Sequence, residues 1–189
     1  MVKRDRLFHI SLVFYGLLAS TSCSTPNTSP VSGPATNRYF SLIDFFGGEV
    51  DRLTKMAPTV NKTVVRNGAS EEQRVKIDDW ENELALFMDS DINKPAWRES
   101  YRIDSTEYTL TYTSVDPELR TQKITIQKNE SGLVTHIAIQ NHTDNMLYQT
   151  AEKLDYYTDS LYQIDKQQQV RVIGDNHYVV KASLLREGE

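Results

Sequence analysis

"EYTLTYTSV", residues Glu107 to Val115, sets Tyr108, Leu110 and Tyr112 in strict alternation with Thr109, Thr111 and Thr113. A period of two belongs to a strand, whose successive side chains point to opposite faces of a sheet. Downstream the period persists. "LRTQKITIQKN" (Leu119–Asn129) follows Asp116-Pro117, and Ser131-Gly132 turns the chain into "LVTHIAIQNH" (Leu133–His142). His142 to Asn145 form a further turn signal before "MLYQTAEKLDYY" (Met146–Tyr157). The last pair, "SLYQIDKQQQVRVIG" and "HYVVKASLL", is joined through Gly174-Asp175-Asn176. Strands at short spacing with tight turns predict an antiparallel meander, and neither a tandem repeat nor βαβ alternation interrupts it.

Upstream of Ser100 the period lengthens. In "RYFSLIDFFGGEVDRLTKMAP" the residues Tyr39, Leu42, Ile43, Phe46, Val50 and Leu53 recur at helical spacing and predict one apolar face, ended by Pro58. Gly47 and Gly48 weaken this helix and predict a bend or a close approach to the sheet. "TVNKTVVRNGASEEQRVKI" predicts a hairpin about Asn67-Gly68. "DDWENELALFMDSDINKPAW" predicts a second helix, with Asp78 or Asp79 as N-cap, an apolar face of Trp80, Leu84 and Phe87, and Pro95 as its stop. The fold class expected is therefore α+β: two helices from the N-terminal half packed on one face of a large, curved antiparallel meander of about seven to nine strands.

Length and charge bound the function. The 189 residues leave room for one domain and a targeting segment. Lys3, Arg4 and Arg6 against Asp5 give the first 22 residues +2 of a total of −5, so the remainder carries about −7. A mildly acidic domain without a basic stripe argues against nucleic acid as partner, and against adhesion to anionic lipid by charge alone.

The N-terminus has the layout of an export signal: "MVKRDR" is a basic n-region and "LFHISLVFYGLLA" (Leu7–Ala19) an apolar core too short to span a bilayer. Ser20, Thr21 and Ser22 lead into Cys23, the only cysteine of the chain. Small residues before a cysteine at the end of a signal core resemble the lipobox of bacterial lipoproteins, although Ser20 stands where that pattern usually has Leu. The resemblance implies cleavage before Cys23 and a thioether-linked diacylglycerol on its sulfur. The competing reading, an ordinary secretory signal cut near Ser22, would leave a free thiol with no disulfide partner in an oxidising compartment. "STPNTSPVSGPATN" (Ser24–Asn37) has three prolines and almost no bulky apolar residue, so it cannot bury a core and is expected to be a flexible tether. The domain plan is thus signal peptide 1–22, lipid-anchored tether 23–37 and one α+β domain 38–189. The whole resembles the small acidic lipoproteins of Bacteroidota-type bacteria, and the sheet layout is similar to the half-barrel of envelope lipoprotein carriers, which hold acyl chains. Sequons at Asn27, Asn61, Asn129 and Asn141 are expected to be coincidental in a Ser/Thr-rich chain of this address.

Chemistry is sparse. His136, His142 and His177 lack metal-ligand spacing, so no metal or other cofactor is expected. No nucleophile elbow, Ser-x-x-Lys pair or phosphate-cradling loop occurs. The acidic pairs Asp78/Asp79, Glu81/Glu83 and Asp89/Asp91 cluster about a helix, where they favour its N-terminus or sit in water. Ten tyrosines are the mild anomaly, and Tyr108, Tyr112, Tyr148 and Tyr162 are the candidate lining of a ligand-binding concavity, against the plainer role of tyrosine as a strand residue. The function expected is a non-enzymatic, membrane-tethered interaction domain of the cell envelope, exported and held by lipid on Cys23 at the periplasmic side or cell surface, the outer membrane being the expected address. Its partner would be an envelope protein or a small ligand. The alternatives are a carrier or sensor of an apolar or saccharide ligand in the concave face, and lastly a small hydrolase. A face filled by Leu42, Ile43, Phe46, Trp80 and Phe87 favours the first; an open apolar cavity favours the carrier.

Overall fold

A computed structural model describes residues 37–172 and 174–185, so the expected signal peptide, Cys23 and all but the last residue of the expected tether lie outside the described residues. The elements run α1 (Leu42–Met56), β1 (Thr59–Arg66), β2 (Ala69–Lys76), α2 (Trp80–Met88), a 3₁₀ turn at Pro95–Trp97, β3 (Tyr101–Ser105), β4 (Thr109–Ser114), β5 (Thr121–Lys128), β6 (Val134–Asp144), β7 (Tyr148–Tyr157), β8 (Leu161–Val170) and β9 (Gly174–Leu184). All nine strands form one antiparallel sheet in the order β2-β1-β9-β8-β7-β6-β5-β4-β3. The sheet is curved and does not close, so the protein is α+β with a meander from β3 to β9 and the β1–β2 hairpin added beside β9.

Register decides which residues share a face. Tyr112, Ile124, Ile139, Leu154, Ile164 and Val180 are successive partners from β4 to β9 and lie on the helix-bearing, inner face. On that face Tyr101, Ile126, Ile137, Tyr156, Tyr162, Ala182 and Val60 are buried beneath Leu42, Phe46 and Leu53 of α1 and Trp80, Leu84 and Phe87 of α2. Phe46 lies 5.0 Å from Phe87 and 5.1 Å from Tyr156 between ring centroids, and Trp80 meets Tyr162 edge-on at 6.5 Å. Such aromatic pairs add to the stabilisation from area burial.

Two hydrogen bonds fasten the helices onto this layer. The Tyr156 hydroxyl donates to Glu49 of α1, and the Tyr162 hydroxyl donates to Glu83 of α2. Burial, then the carboxylate each faces, push both phenols far above their ordinary value, so they stay protonated donors. Arg52 Nη2 holds Glu49 at 2.6 Å and its Nη1 reaches Asp159 at 2.6 Å, while Lys62 Nζ holds Glu83 at 2.6 Å. Each half-buried carboxylate is therefore satisfied by a cation and a phenol together.

Several expectations shift in detail. Ile43 is 56% exposed: it stands 100° around α1 from Leu42, on the solvent side of the Leu42–Phe46–Leu53 stripe, and does not help fill the inner face. Helix α2 ends at Met88 rather than running on to Pro95, because the chain turns there to bring Asp91 beneath the start of α1. Buried Asp91 Oδ2 accepts from Leu42 N at 2.7 Å and supplements the Ser41 cap on Asp44 N at 3.0 Å, satisfying first-turn donors that have no helical partner. Asp91 is thus a buried cap and Glu83 a sheet anchor rather than solvated acids. Asp79 is the N-cap of α2, its Oδ1 accepting from Asn82 N at 2.9 Å. The turn before β9 falls at Arg171 and Val172, and Gly174, Asp175 and Asn176 pair with Val170, Gln169 and Gln168 inside the ladder. Asn67 and Gly68 take positive φ, 50° and 89°, as a two-residue turn with right-handed strand twist requires.

Helix α1 passes through Gly47 and Gly48 unbroken, and a Cβ at either would meet nothing within 4 Å. No close approach to the sheet explains them. Gly48→Ala should therefore raise unfolding stability in urea by about 0.5–1 kcal/mol, the helical preference of alanine; a fall would show that α1 requires the glycine.

Candidate functional site

The candidate tyrosines do not converge. Tyr112 is buried, its hydroxyl accepting from Phe40 N at 2.8 Å, and Tyr162 is buried beneath α2 on Glu83. Tyr108 sits at the β3–β4 turn and donates to Glu107 at 2.8 Å; Tyr148 opens β7 at the other end of the sheet. Two are core residues and two stand at opposite ends, so they do not line a common cavity. Cys23 lies outside the described residues. The sequons that are described have structural occupations: Asn141 is buried, Asn129 Oδ1 accepts from Ser131 N and Leu133 N at 3.0 Å each, and Asn61 donates to Glu72 at 2.6 Å.

With the inner face occupied by the helices, the indentation of interest lies on the opposite, outer face. There the register sets two rows across β6, β7, β8 and β9. One is His142, Ala151, Gln167, His177; the next is Asp144, Gln149, Gln169, Asp175. Ala151 supplies a low floor between longer neighbours, giving an open groove of about 450 Å³. The β1–β2 turn walls one side: Asn67 N donates to His177 O at 2.9 Å, His177 N to Asn67 Oδ1 at 2.8 Å, and Asn67 Nδ2 to Asn176 Oδ1 at 3.3 Å. His177 Nε2 meets Asp165 Oδ1 at 2.9 Å, which orients the ring; a neutral imidazole donating through Nε2 presents Nδ1 as acceptor. Gln149 Nε2 donates to Asp144 Oδ2 at 2.9 Å.

Chemically this strip is a set of amides, imidazoles and carboxylates suited to hydrogen-bonding a polar partner. Among the described residues no three His, Cys, Asp or Glu side chains could hold a metal ion. His136, farther along the same face, is held by Asp155 at 2.8 Å and stacks on Tyr157 at 4.1 Å, which gives it a structural place.

A second polar cluster escaped the sequence. Glu152 is 5% exposed on the inner face beyond the end of α2; its Oε2 accepts from Arg120 at 2.7 Å and Asn141 at 3.2 Å, and its Oε1 from Lys166 at 3.0 Å. Asn141 also donates to Ser90 Oγ at 2.9 Å, and the Thr121 hydroxyl to Ser90 O at 3.2 Å, so the cluster ties the end of α2 to β5, β6 and β7. The one visible clue is that Thr150 and Glu152 continue the inward period of Leu154 and Tyr156 with polar residues. Their partners lie too far off along the chain for spacing to reveal.

No protein-family model, curated protein or solved structure matches the chain.

Burial pushes the Glu152 carboxyl up, but the Lys166 hydrogen bond and the charge and hydrogen bond of Arg120, with Asn141, outweigh it and hold the group below its ordinary value of 4.5. A depressed folded-state value means that this stabilisation is fully present above about pH 4.5 and is lost as pH falls through the lower folded value. Glu152→Gln should cost about 1–3 kcal/mol at pH 7, less than for fully buried pairs because both cations reach solvent. It should also flatten the acid limb of the urea midpoint against pH. Equal acid slopes in variant and wild type would contradict this role.

Proposed function

We propose that the chain is a lipid-tethered protein of the cell envelope whose domain is a non-enzymatic interaction module, meeting its partner across the outer face of the sheet rather than enclosing a ligand. The observation that carries the reading is the division of the two faces. Leu42, Phe46, Trp80 and Phe87 fill the inner one, while the outer one presents two regular rows of amide, imidazole and carboxylate side chains over β6–β9. A filled inner face leaves the acyl-carrier comparison with little to support it. A saccharide in the outer groove is the second reading, favoured by the amide and carboxylate pairs about Ala151, whose donors and acceptors match vicinal hydroxyls. The envelope address rests on the basic n-region, the apolar Leu7–Ala19 core and the small residues before Cys23.

Two measurements test the proposal. Cys23→Ala should move the chain from the membrane to the soluble fraction of the cell, and continued membrane residence would contradict lipid attachment. A photo-reactive residue at Gln167 should give a discrete cross-linked adduct in cells, whereas the same residue at Thr111, on the outer face of β4, should not. Equal patterns from both positions would contradict an outer-face partner site on β6–β9.

A further inference from the structure

The strands alternate in direction, so the β6–β7 turn, the β8–β9 turn and the loop from Val115 to Arg120 all fall at one end of the sheet. Hairpin turns are ordinarily built from Gly, Asn, Asp and Ser. Here two neighbouring turns carry Met146, Leu147 and Val172, exposed by 84%, 73% and 94%. They form one patch, because Arg171 N donates to Leu147 O at 3.2 Å and Tyr148 pairs with Val170 directly beneath. Val115 is exposed at the same end.

The first described residues leave the domain at this end too. Arg38 pairs with Glu99, the Tyr39 hydroxyl donates to Trp97 O at 3.2 Å, and both partners precede the start of β3 at Tyr101. Upstream of Arg38 stand the fourteen residues Ser24–Asn37 and then Cys23. Fourteen residues reach at most about 50 Å. A lipid on Cys23 would thus hold this end of the domain close to the bilayer, where weak insertion becomes effectively intramolecular.

We propose that the apolar tips Met146, Leu147 and Val172 dock into the headgroup region of the membrane that holds the chain, orienting the domain with this end of its sheet inward. The inference rests on the membrane-tether reading. Apolar burial drives it rather than charge, since Arg171 beside the tips is offset by Asp144 and Asp175 on the flanking strands. With this end against the lipid, the strands stand away from the membrane, and the outer rows begin two to three residues above the tips.

Cys23 is the only cysteine, so the Cys23→Ser chain accepts a single introduced label, and a hexahistidine tag in place of residues 1–22 tethers it at the same chain distance to vesicles that contain a nickel-chelating lipid. Val172→Cys and, at the opposite end, Leu133→Cys would each carry an environment-sensitive fluorophore, mixed with phosphatidylethanolamine/phosphatidylglycerol vesicles with or without brominated acyl chains. The label at 172 should shift to shorter wavelength and lose about twofold or more of its intensity in brominated vesicles, unchanged by added salt, while that at 133 responds to neither. A label at 172 that behaves like the one at 133 overturns the docking inference, as does quenching that salt abolishes. Flotation of the wild-type lipidated chain against Cys23→Ser reports the tether separately. A wild-type chain that floats while the tip stays unquenched refutes docking alone; a quenched tip with no flotation advantage for wild type refutes the lipid anchor alone.

Discussion

The helices stay where they are because two tyrosines of the sheet reach up to two glutamates on them. Tyr156 on β7 holds Glu49 of α1, and Tyr162 on β8 holds Glu83 of α2. Buried hydroxyls and carboxylates are costly without partners, and here each satisfies the other while Arg52 and Lys62 balance the charge. The aromatic packing of Phe46, Phe87 and Trp80 is non-directional. The tyrosine–glutamate pairs add direction, fixing where each helix sits along and across the strands. Asp91 links the two helices by capping α1 from the turn that leaves α2. One arrangement of both helices on the sheet meets all of these demands.

Everything else about the molecule follows from which face is thereby consumed. With the inner face covered, contact with other molecules falls to the outer face, the hairpin tips and the sheet edges. The edges are protected: β2 carries Glu71, Glu72, Arg74 and Lys76, all exposed, and β3 is only five residues long, with Arg102 and Asp104 facing out. Charge and shortness discourage a further strand from pairing there. The outer rows over β6–β9 and the apolar tips are what the domain has left to offer.

Much of this was legible in the sequence where a single periodicity had a single cause. The strands from Thr109 onward alternate because one face is buried and the other wet, and Asn67-Gly68 specifies its turn through positive φ at both residues. Helix α1 was legible as a stripe, but not to the residue: Ile43 lies one helical step beyond the buried arc. The turn into β9 was misplaced because glycine, aspartate and asparagine are turn formers by local preference, whereas at 174–176 the ladder with β8 and the Asn67–Asn176 contact carry them into a strand. The outer groove was illegible for a different reason. His142, Ala151, Gln167 and His177 become one row only through three successive registers, and register depends on turn lengths that composition does not specify. Glu152 and Arg120 meet across 32 residues of chain for the same reason. The tyrosines were an apt signal with a different meaning: their surplus serves the helix–sheet interface, as Tyr112, Tyr156 and Tyr162 show.

Held by these pairs, the helices are integral to the sheet rather than a cover that lifts from it. Native-state hydrogen exchange, resolved by residue, tests this most directly. The amides of α1 and α2 should exchange with the same free energy and denaturant dependence as those of β6, β7 and β8, since all open only in global unfolding. Helix amides that exchange through a smaller opening, while the central strands stay protected, would contradict the account: the inner face would then be an accessible apolar surface, and a carrier of apolar ligands the better description.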